Sequence, residues 1–212
     1  NCVYCQYGWT EGNQGKQLWP EVHTVQDAVE SVLKQLPVKP DYLTFSGNGE
    51  PTLHPRFPEI VDILIRLRDV YAPDSRTAIL SNSSTLALAS IRQAIMKLDA
   101  RIMKLDCGEE ACFKRFNRPA RGITLKKIFN GLQQLAGVTI QALFAEGEEG
   151  NYESSNISAW IDKLKTLKPR DTQIYTLDRG YPSGNIYPVS PKKLLILQDR
   201  LRNEGVNARA YG

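Results

Sequence analysis

Asp41-Tyr42-Leu43-Thr44-Phe45-Ser46-Gly47-Asn48-Gly49-Glu50-Pro51 is the stretch that decides the fold. Residues 41–45 form a short apolar and aromatic run, which predicts a buried strand. The glycines that follow free the backbone for close approach to a ligand, and Pro51 stiffens the exit. Upstream, residues 24–35 place Val25, Ala28, Val29, Val32 and Leu33 at helical spacing and stop before Pro37. Downstream, residues 57–71 carry Ile60, Ile63, Leu64 and Leu67 on one face of an amphipathic helix. The same alternation runs on, with strands expected over 77–81, 101–106, 138–144, 173–177 and 206–210. Helices are expected between them over 86–98, 109–116, 125–135, 158–167 and 191–203.

Strands separated by helices of ten or more residues pair in parallel through right-handed crossovers. Counting a strand expected ahead of Cys2, the reading is an α/β partial barrel of about six βα units, open on one side. No repeat, low-complexity tract or domain boundary interrupts residues 1–212, so a single core domain is expected. Residue 1 is Asn, so an upstream segment is expected and the domain is read as N-terminally truncated.

Composition excludes several classes. The chain has 212 residues, 42% hydrophobic and 24% charged, which excludes disordered, collagenous and coiled-coil architectures. Runs such as 77–80 and 194–197 are too short to span a bilayer, and no secretory leader pattern is present. A net charge of +4 names no partner by itself. Four cysteines in a chain of this length do not make a disulfide framework, and free thiols suit a reducing cytoplasm.

Two of those cysteines are paired as Cys2-Val3-Tyr4-Cys5. Thiolates three positions apart serve zinc, an iron–sulfur cluster or a redox dithiol, and a packed turn also brings cysteines together. His23 and His54 are the two histidines and lack finger-like spacing, which disfavours zinc. Gln6-Tyr-Gly-Trp-Thr-Glu-Gly12 after the pair is loop-like, which disfavours a thioredoxin-type helix start. The second motif, residues 46–52, lacks the Lys-Ser/Thr of a phosphate loop and the spacing of a dinucleotide fingerprint. In parallel α/β folds, loops at the C-terminal ends of strands build the site, and both motifs occupy such positions.

Taken together, the two motifs resemble the radical S-adenosylmethionine superfamily. Cys2-Val3-Tyr4-Cys5 is similar to the end of that family's three-cysteine loop. Gly47-Asn48-Gly49-Glu50-Pro51 is similar to its Gly-Gly-Glu-Pro motif with an asparagine inserted. Cys5-Gln-Tyr-Gly8, Lys104-Leu-Asp106, Phe116-Asn-Arg-Pro119 and Tyr175-Thr-Leu-Asp-Arg179 further resemble the iron–sulfur oxidoreductase group that includes wyosine-type tRNA-modifying enzymes.

The resemblance implies a [4Fe–4S] cluster held by Cys2 and Cys5, with a first cysteine four residues ahead of Cys2. A chain without that residue is expected not to hold the normal cluster. It implies S-adenosylmethionine as the second cofactor, cleaved reductively to a 5′-deoxyadenosyl radical that abstracts hydrogen from an unnamed substrate. An electron donor such as a flavodoxin or ferredoxin is implied as partner. Tyr4 would lie near the adenine, and Gly47, Asn48, Gly49, Glu50 and Pro51 would receive the methionine amino group through backbone oxygens.

Position nominates further residues. Alternation along 101–106 puts Ile102, Lys104 and Asp106 on one face, so Lys104 and Asp106 either pair with each other or meet a ligand; both are the catalytic candidates. Asp106, nearest the strand's C-terminal end, is favoured for ligand contact. Asn82 and Gln141 are cofactor-binding candidates on neighbouring strands, and Tyr175 and Asp178 are candidates for the substrate end. Cys107 and Cys112 read as ordinary semi-buried cysteines. Lys114, Arg115, Arg118, Arg121, Lys126 and Lys127, with Phe113 and Phe116 interleaved, are more often a solvated helix face than an RNA contact, so RNA is a possible but not favoured substrate. The alternatives kept are a glycyl-radical activase acting on a protein, and a binding module that retains the fold without catalysis.

Overall fold

The computed structural model describes residues 1–9, 19–47 and 49–212; Asn48 and the middle of the loop after the cysteines lie outside the described residues. In chain order the elements are α1 (Val22–Gln35), β1 (Tyr42–Phe45), α2 (Phe57–Tyr71), β2 (Arg76–Ser81), α3 (Ala89–Met96), β3 (Ala100–Lys104), α4 (Glu110–Asn117), α5 (Leu125–Leu132), β4 (Thr139–Leu143), β5 (Ala145–Glu146), α6 (Ser154–Leu167), β6 (Asp171–Tyr175), β7 (Tyr187–Pro188), α7 (Pro191–Asn203) and β8 (Ala208–Tyr211). A 3-10 turn over Pro51–Leu53 follows the glycine loop.

Six strands form one all-parallel sheet in the order β1-β2-β3-β4-β6-β8, so each crossover except β4 to β6 and β6 to β8 joins consecutive strands. Those two skip only the antiparallel ribbon of β5 and β7, whose Ala145 and Glu146 pair with Pro188 and Tyr187. The sequence reading misses this ribbon because two residues carry no periodicity.

The helix-facing side of the sheet is apolar. Ile79, Met103, Ile140 and Ile174, from four adjacent strands, are fully buried together with Phe57, Ile95, Leu132, Trp160 and Leu164 of the helices. Apolar burial of this kind supplies the main driving force for folding. Proline at the first turn sets the start of α2 and α7, where the missing N–H would have no intrahelical partner. Among the described residues no helix is long and apolar enough to cross a membrane.

The opposite face differs. Register pairs Lys104 with Gln141, Gln141 with Gln173, and Gln173 with Arg209, so four polar side chains run in a row across four strands. Parallel sheets are ordinarily covered by apolar groups on both faces. A polar row on the inner face marks a lumen meant for solvent and ligand rather than for core.

Candidate functional site

The cysteine turn sits over this lumen. Cys5 N donates to Cys2 O at 3.1 Å, and Gly8 N donates to Cys5 O at 2.9 Å, which winds residues 2–8 into two successive turns. Val3 is buried and its N–H donates to Phe116 O at 3.0 Å, tying the turn to the end of α4. Trp9 Nε1 donates to Cys2 O at 3.3 Å, and the Arg118 guanidinium lies 4.3 Å from the Trp9 ring centroid. Arg118 also pairs with Glu149, which accepts a 2.5 Å bond from Ser183 Oγ. Loops from three parts of the chain thus brace the turn. Cys2 and Cys5 are half-buried free thiols. Burial, followed by the charge of Asp106, pushes the Cys2 thiol above its ordinary value, with hydrogen bonds from Asn117 and Tyr4 opposing.

The glycine loop leaves β1 toward the same edge. Glu50, expected as part of a backbone cradle, uses its carboxylate inside the protein. Oε1 accepts from Thr52 N at 3.1 Å, Thr52 Oγ1 at 2.6 Å and Ser81 Oγ at 2.9 Å, and Oε2 accepts from Asn82 N at 2.6 Å. Glu50 therefore fastens the loop to the end of β2. Gly49 has φ +153°, a conformation that strains side chains, and a Cβ built on Gly47 or Gly49 meets nothing within 4 Å among the described residues. The space beside them is a hollow of about 400 Å³ bordered by Trp19, Ser46 and His54. His54 Nε2 is 2.9 Å from Pro20 O and its ring meets Trp19 edge-on, so it supports the loop's flank.

Lys104 and Asp106 do pair, at 2.9 Å. The Asp106 carboxylate is engaged by four donors of the chain itself. Its Oδ1 takes Lys104 Nζ and Leu143 N (3.0 Å), and its Oδ2 takes Tyr4 OH (2.7 Å) and Asn117 Nδ2 (2.7 Å). A carboxylate has about four lone-pair sites, and all are used. β3 ends at Lys104, two residues before the expected limit, because the Asp106 side chain rather than its backbone meets β4. Lys104 also donates to Tyr175 OH at 3.0 Å and lies over the rings of Tyr4 and Tyr175. Burial works against the Lys104 charge, but the Asp106 carboxylate and the Tyr175 hydroxyl outweigh it and hold the ammonium well above its ordinary pKa.

Tyr4 is held by Asp106 and packs 5.0 Å from Phe116. Its buried hydroxyl is pushed well up, first by burial and then by the Asp106 charge. Tyr4 and Cys5 line a cavity of about 510 Å³ with Leu80, Leu143, Tyr175 and Asp178. Asn82 is exposed, bonds Ser84 N through Oδ1, and borders a small adjoining space with Cys2, Lys104 and Asn117. Gln141 Nε2 donates to Gln173 Oε1 at 3.1 Å. The structure therefore gathers Cys2, Cys5, Tyr4, Lys104, Asp106, Asn82 and Gln141 at one edge, with Gly47, Gly49, Glu50 and Pro51 beside them.

Three asparagines given no role in the sequence reading hold this edge together. Asn151 Nδ2 donates to Asp106 O and Leu143 O, Asn156 Oδ1 accepts from Gly108 N and Glu109 N, and Asn117 bridges Asp106 and Cys2. Asn117 lies within the quoted Phe116-Asn-Arg-Pro119 match, which was its only signal. Cys107 and Cys112 are fully buried, deeper than expected, with their sulfurs 3.0 Å apart. Of the basic stretch, Arg115 and Arg118 are spent on Glu153 and Glu149.

Comparison with known proteins agrees with this geometry. The family model described as "Radical SAM superfamily" matches residues 1–143. The UPF0026 protein MJ1312 of Methanocaldococcus jannaschii is 30% identical over 200 residues, 91% of this chain and 59% of that protein. A UPF0026 protein of Helicobacter pylori strain J99 is 26% identical over 182 residues, 84% of this chain. The chain spans 58% of that relative's length.

Among solved structures, Streptococcus suis SuiB bound to S-adenosylmethionine superposes with a TM-score of 0.71 at 12% identity, covering 100% of this chain and 47% of SuiB. TYW1 with a lysine-pyruvate adduct gives 0.62 at 17% identity, covering 96% and 68%. A domain of pyruvate-formate lyase-activating enzyme from Bacteroides vulgatus gives 0.60 at 20%, covering 80% and 98%. This chain belongs to the Radical SAM superfamily, whose model covers the cysteine turn and the glycine loop. Enzymes of this superfamily use a [4Fe–4S] cluster and S-adenosylmethionine.

Proposed function

We propose that Cys2 and Cys5, with a third thiolate expected upstream, hold a [4Fe–4S] cluster that serves reductive cleavage of S-adenosylmethionine. The donor set fits. Two free, half-exposed thiols on one turn suit soft ligation of iron. Among the described residues no group of three or more His, Cys, Asp or Glu is disposed to hold a metal ion, so a cluster at Cys2 and Cys5 needs a ligand from elsewhere. A cluster held by Cys2 and Cys5 would supply the one-electron reduction that reductive cleavage of S-adenosylmethionine requires.

The chain's residues then have definable work. The loop of Gly47 and Gly49, open on its outer side and fastened by Glu50, receives the methionine amino group on backbone oxygens. Tyr4, held in place by Asp106, walls the side where the adenine lies. Lys104, Gln141 and Tyr175 face the lumen where the substrate enters. Lys104, paired with Asp106 at 2.9 Å and kept protonated by it, suits a cationic hydrogen-bond donor. The electron comes from a flavodoxin- or ferredoxin-like donor.

The observation that carries this reading is the convergence of the cysteine turn, the glycine loop and the polar inner row on one edge of the sheet. An RNA substrate is less favoured because Arg115 and Arg118 already have carboxylate partners. The test is product analysis of the full-length protein, reconstituted without oxygen and supplied with dithionite and S-adenosylmethionine. Methionine and 5′-deoxyadenosine should form together and vanish in Cys5→Ala. An iron-loaded protein that binds S-adenosylmethionine and forms neither product contradicts the reading and leaves a binding module.

A further inference from the structure

We infer that Asn117 tunes the reduction potential of the cluster, as a positioning residue whose side-chain amide donates a hydrogen bond to the Cys2 sulfur. The inference rests on the cluster reading above. Asn117 Nδ2 lies 2.7 Å from Asp106 Oδ2 and 3.6 Å from Cys2 Sγ. An amide nitrogen carries two hydrogens, one for each of these acceptors. Its Oδ1 accepts from the Cys107 thiol at 3.6 Å. The orientation is therefore fixed from both ends, since a flipped amide would set its oxygen against the Asp106 carboxylate and its nitrogen against a thiol hydrogen.

The support around Asn117 is rigid. It is the last residue of α4, Phe116 before it is fully buried, and the Phe116 carbonyl accepts from Val3 N beside Cys2. The amide and the sulfur are thus carried on elements bonded to each other. Reduction adds negative charge that spreads onto the thiolate sulfurs. An N–H aimed at such a sulfur stabilises the reduced form and raises the potential. The nearby Asp106 carboxylate has the opposite effect, and Asn117 stands between it and Cys2. The geometry also gives Cys107 a role: a buried thiol that ligates nothing but holds the amide in its donating orientation.

The experiment is an EPR-monitored redox titration of the reconstituted full-length protein, with ENDOR after exchange into heavy water. Asn117→Leu should lower the reduced-to-oxidised ratio at fixed potential roughly tenfold, about 59 mV more negative for a one-electron couple. An exchangeable proton coupled to the wild-type cluster should disappear in this variant. Cys107→Ala should shift the potential in the same direction, and Cys107→Ser, which keeps a donor, should restore it. Absence of a [4Fe–4S] signal in the wild type would refute the cluster reading itself. With that signal intact, an unmoved potential in Asn117→Leu overturns this inference. Should that variant fail to load iron, a wild-type cluster without any exchangeable proton coupling overturns it equally.

Discussion

Asp106→Ala should remove a substantial share of the margin that keeps the inner edge folded. Asp106 is 4% exposed and joins four donors from four parts of the chain: Lys104, Leu143, Tyr4 and Asn117. Tyr4 and Asn117 are half-buried, and the loss of their bonds is left out of the sum. The Leu143 N–H is buried, and leaving such a donor unsatisfied costs about 1–3 kcal/mol. Lys104 keeps its charge in a site with little water, and removing one partner of a buried pair costs about 3–5 kcal/mol. The two costs overlap, so the expected loss is about 4 kcal/mol, against a total near 5–15 kcal/mol for a domain of this kind. Urea unfolding followed by circular dichroism measures it. Lys104→Met alone should also destabilise, but the double variant should lose less than the sum, with a coupling of about 2 kcal/mol. A loss below about 1 kcal/mol for Asp106→Ala, or additivity in the cycle, would refute the hub reading.

The remaining expectations concern the braces around the site. A Cβ at Gly108 would lie 2.1 Å from the Trp160 backbone nitrogen, so Gly108→Ala should force α6 away from β3 and cost roughly 1–3 kcal/mol or more, read as a fall in Tm. Glu149, held low first by its Ser183 hydrogen bond and then by Arg118, contributes stability above its ordinary carboxylate pKa that is lost as pH falls through the depressed folded value. The wild type should therefore lose an advantage over Glu149→Gln on acidification, and a stability difference independent of pH would contradict the brace. Gly49→Val strains the backbone at φ +153°, and its Cβ meets nothing within 4 Å among the described residues, so calorimetry should show weaker S-adenosylmethionine binding at unchanged iron content. Equal affinity would make the loop a mere turn.

Much of the architecture was legible in the sequence because the apolar periodicity is strong where packing is simple. α2 and α7 fall where expected, since a proline fixes each start and a clean apolar stripe fills each helix. α6 begins one turn earlier than its periodicity, because polar Ser154, Ser155 and Asn156 form a first turn in which buried Asn156 bonds loop amides. The glycine motif was readable as part of the site because it follows β1 of the parallel sheet. The saturation of Asp106 was not readable. It depends on Tyr4, Asn117 and Leu143, up to 102 residues away, meeting one carboxylate. Nor does a sequence distinguish Asn117, Asn151 and Asn156 from surface asparagines, since their role arises from the loops they join.

The most direct measurement is the iron content of the full-length protein and its cysteine variants after anaerobic reconstitution. The account predicts about four irons in a brown wild-type protein, the count of the cluster type. It predicts loss of the cluster in Cys5→Ala and in the Cys2→Ala, Cys5→Ala double variant. Full iron incorporation in the double variant, with the wild-type absorption spectrum, would contradict it.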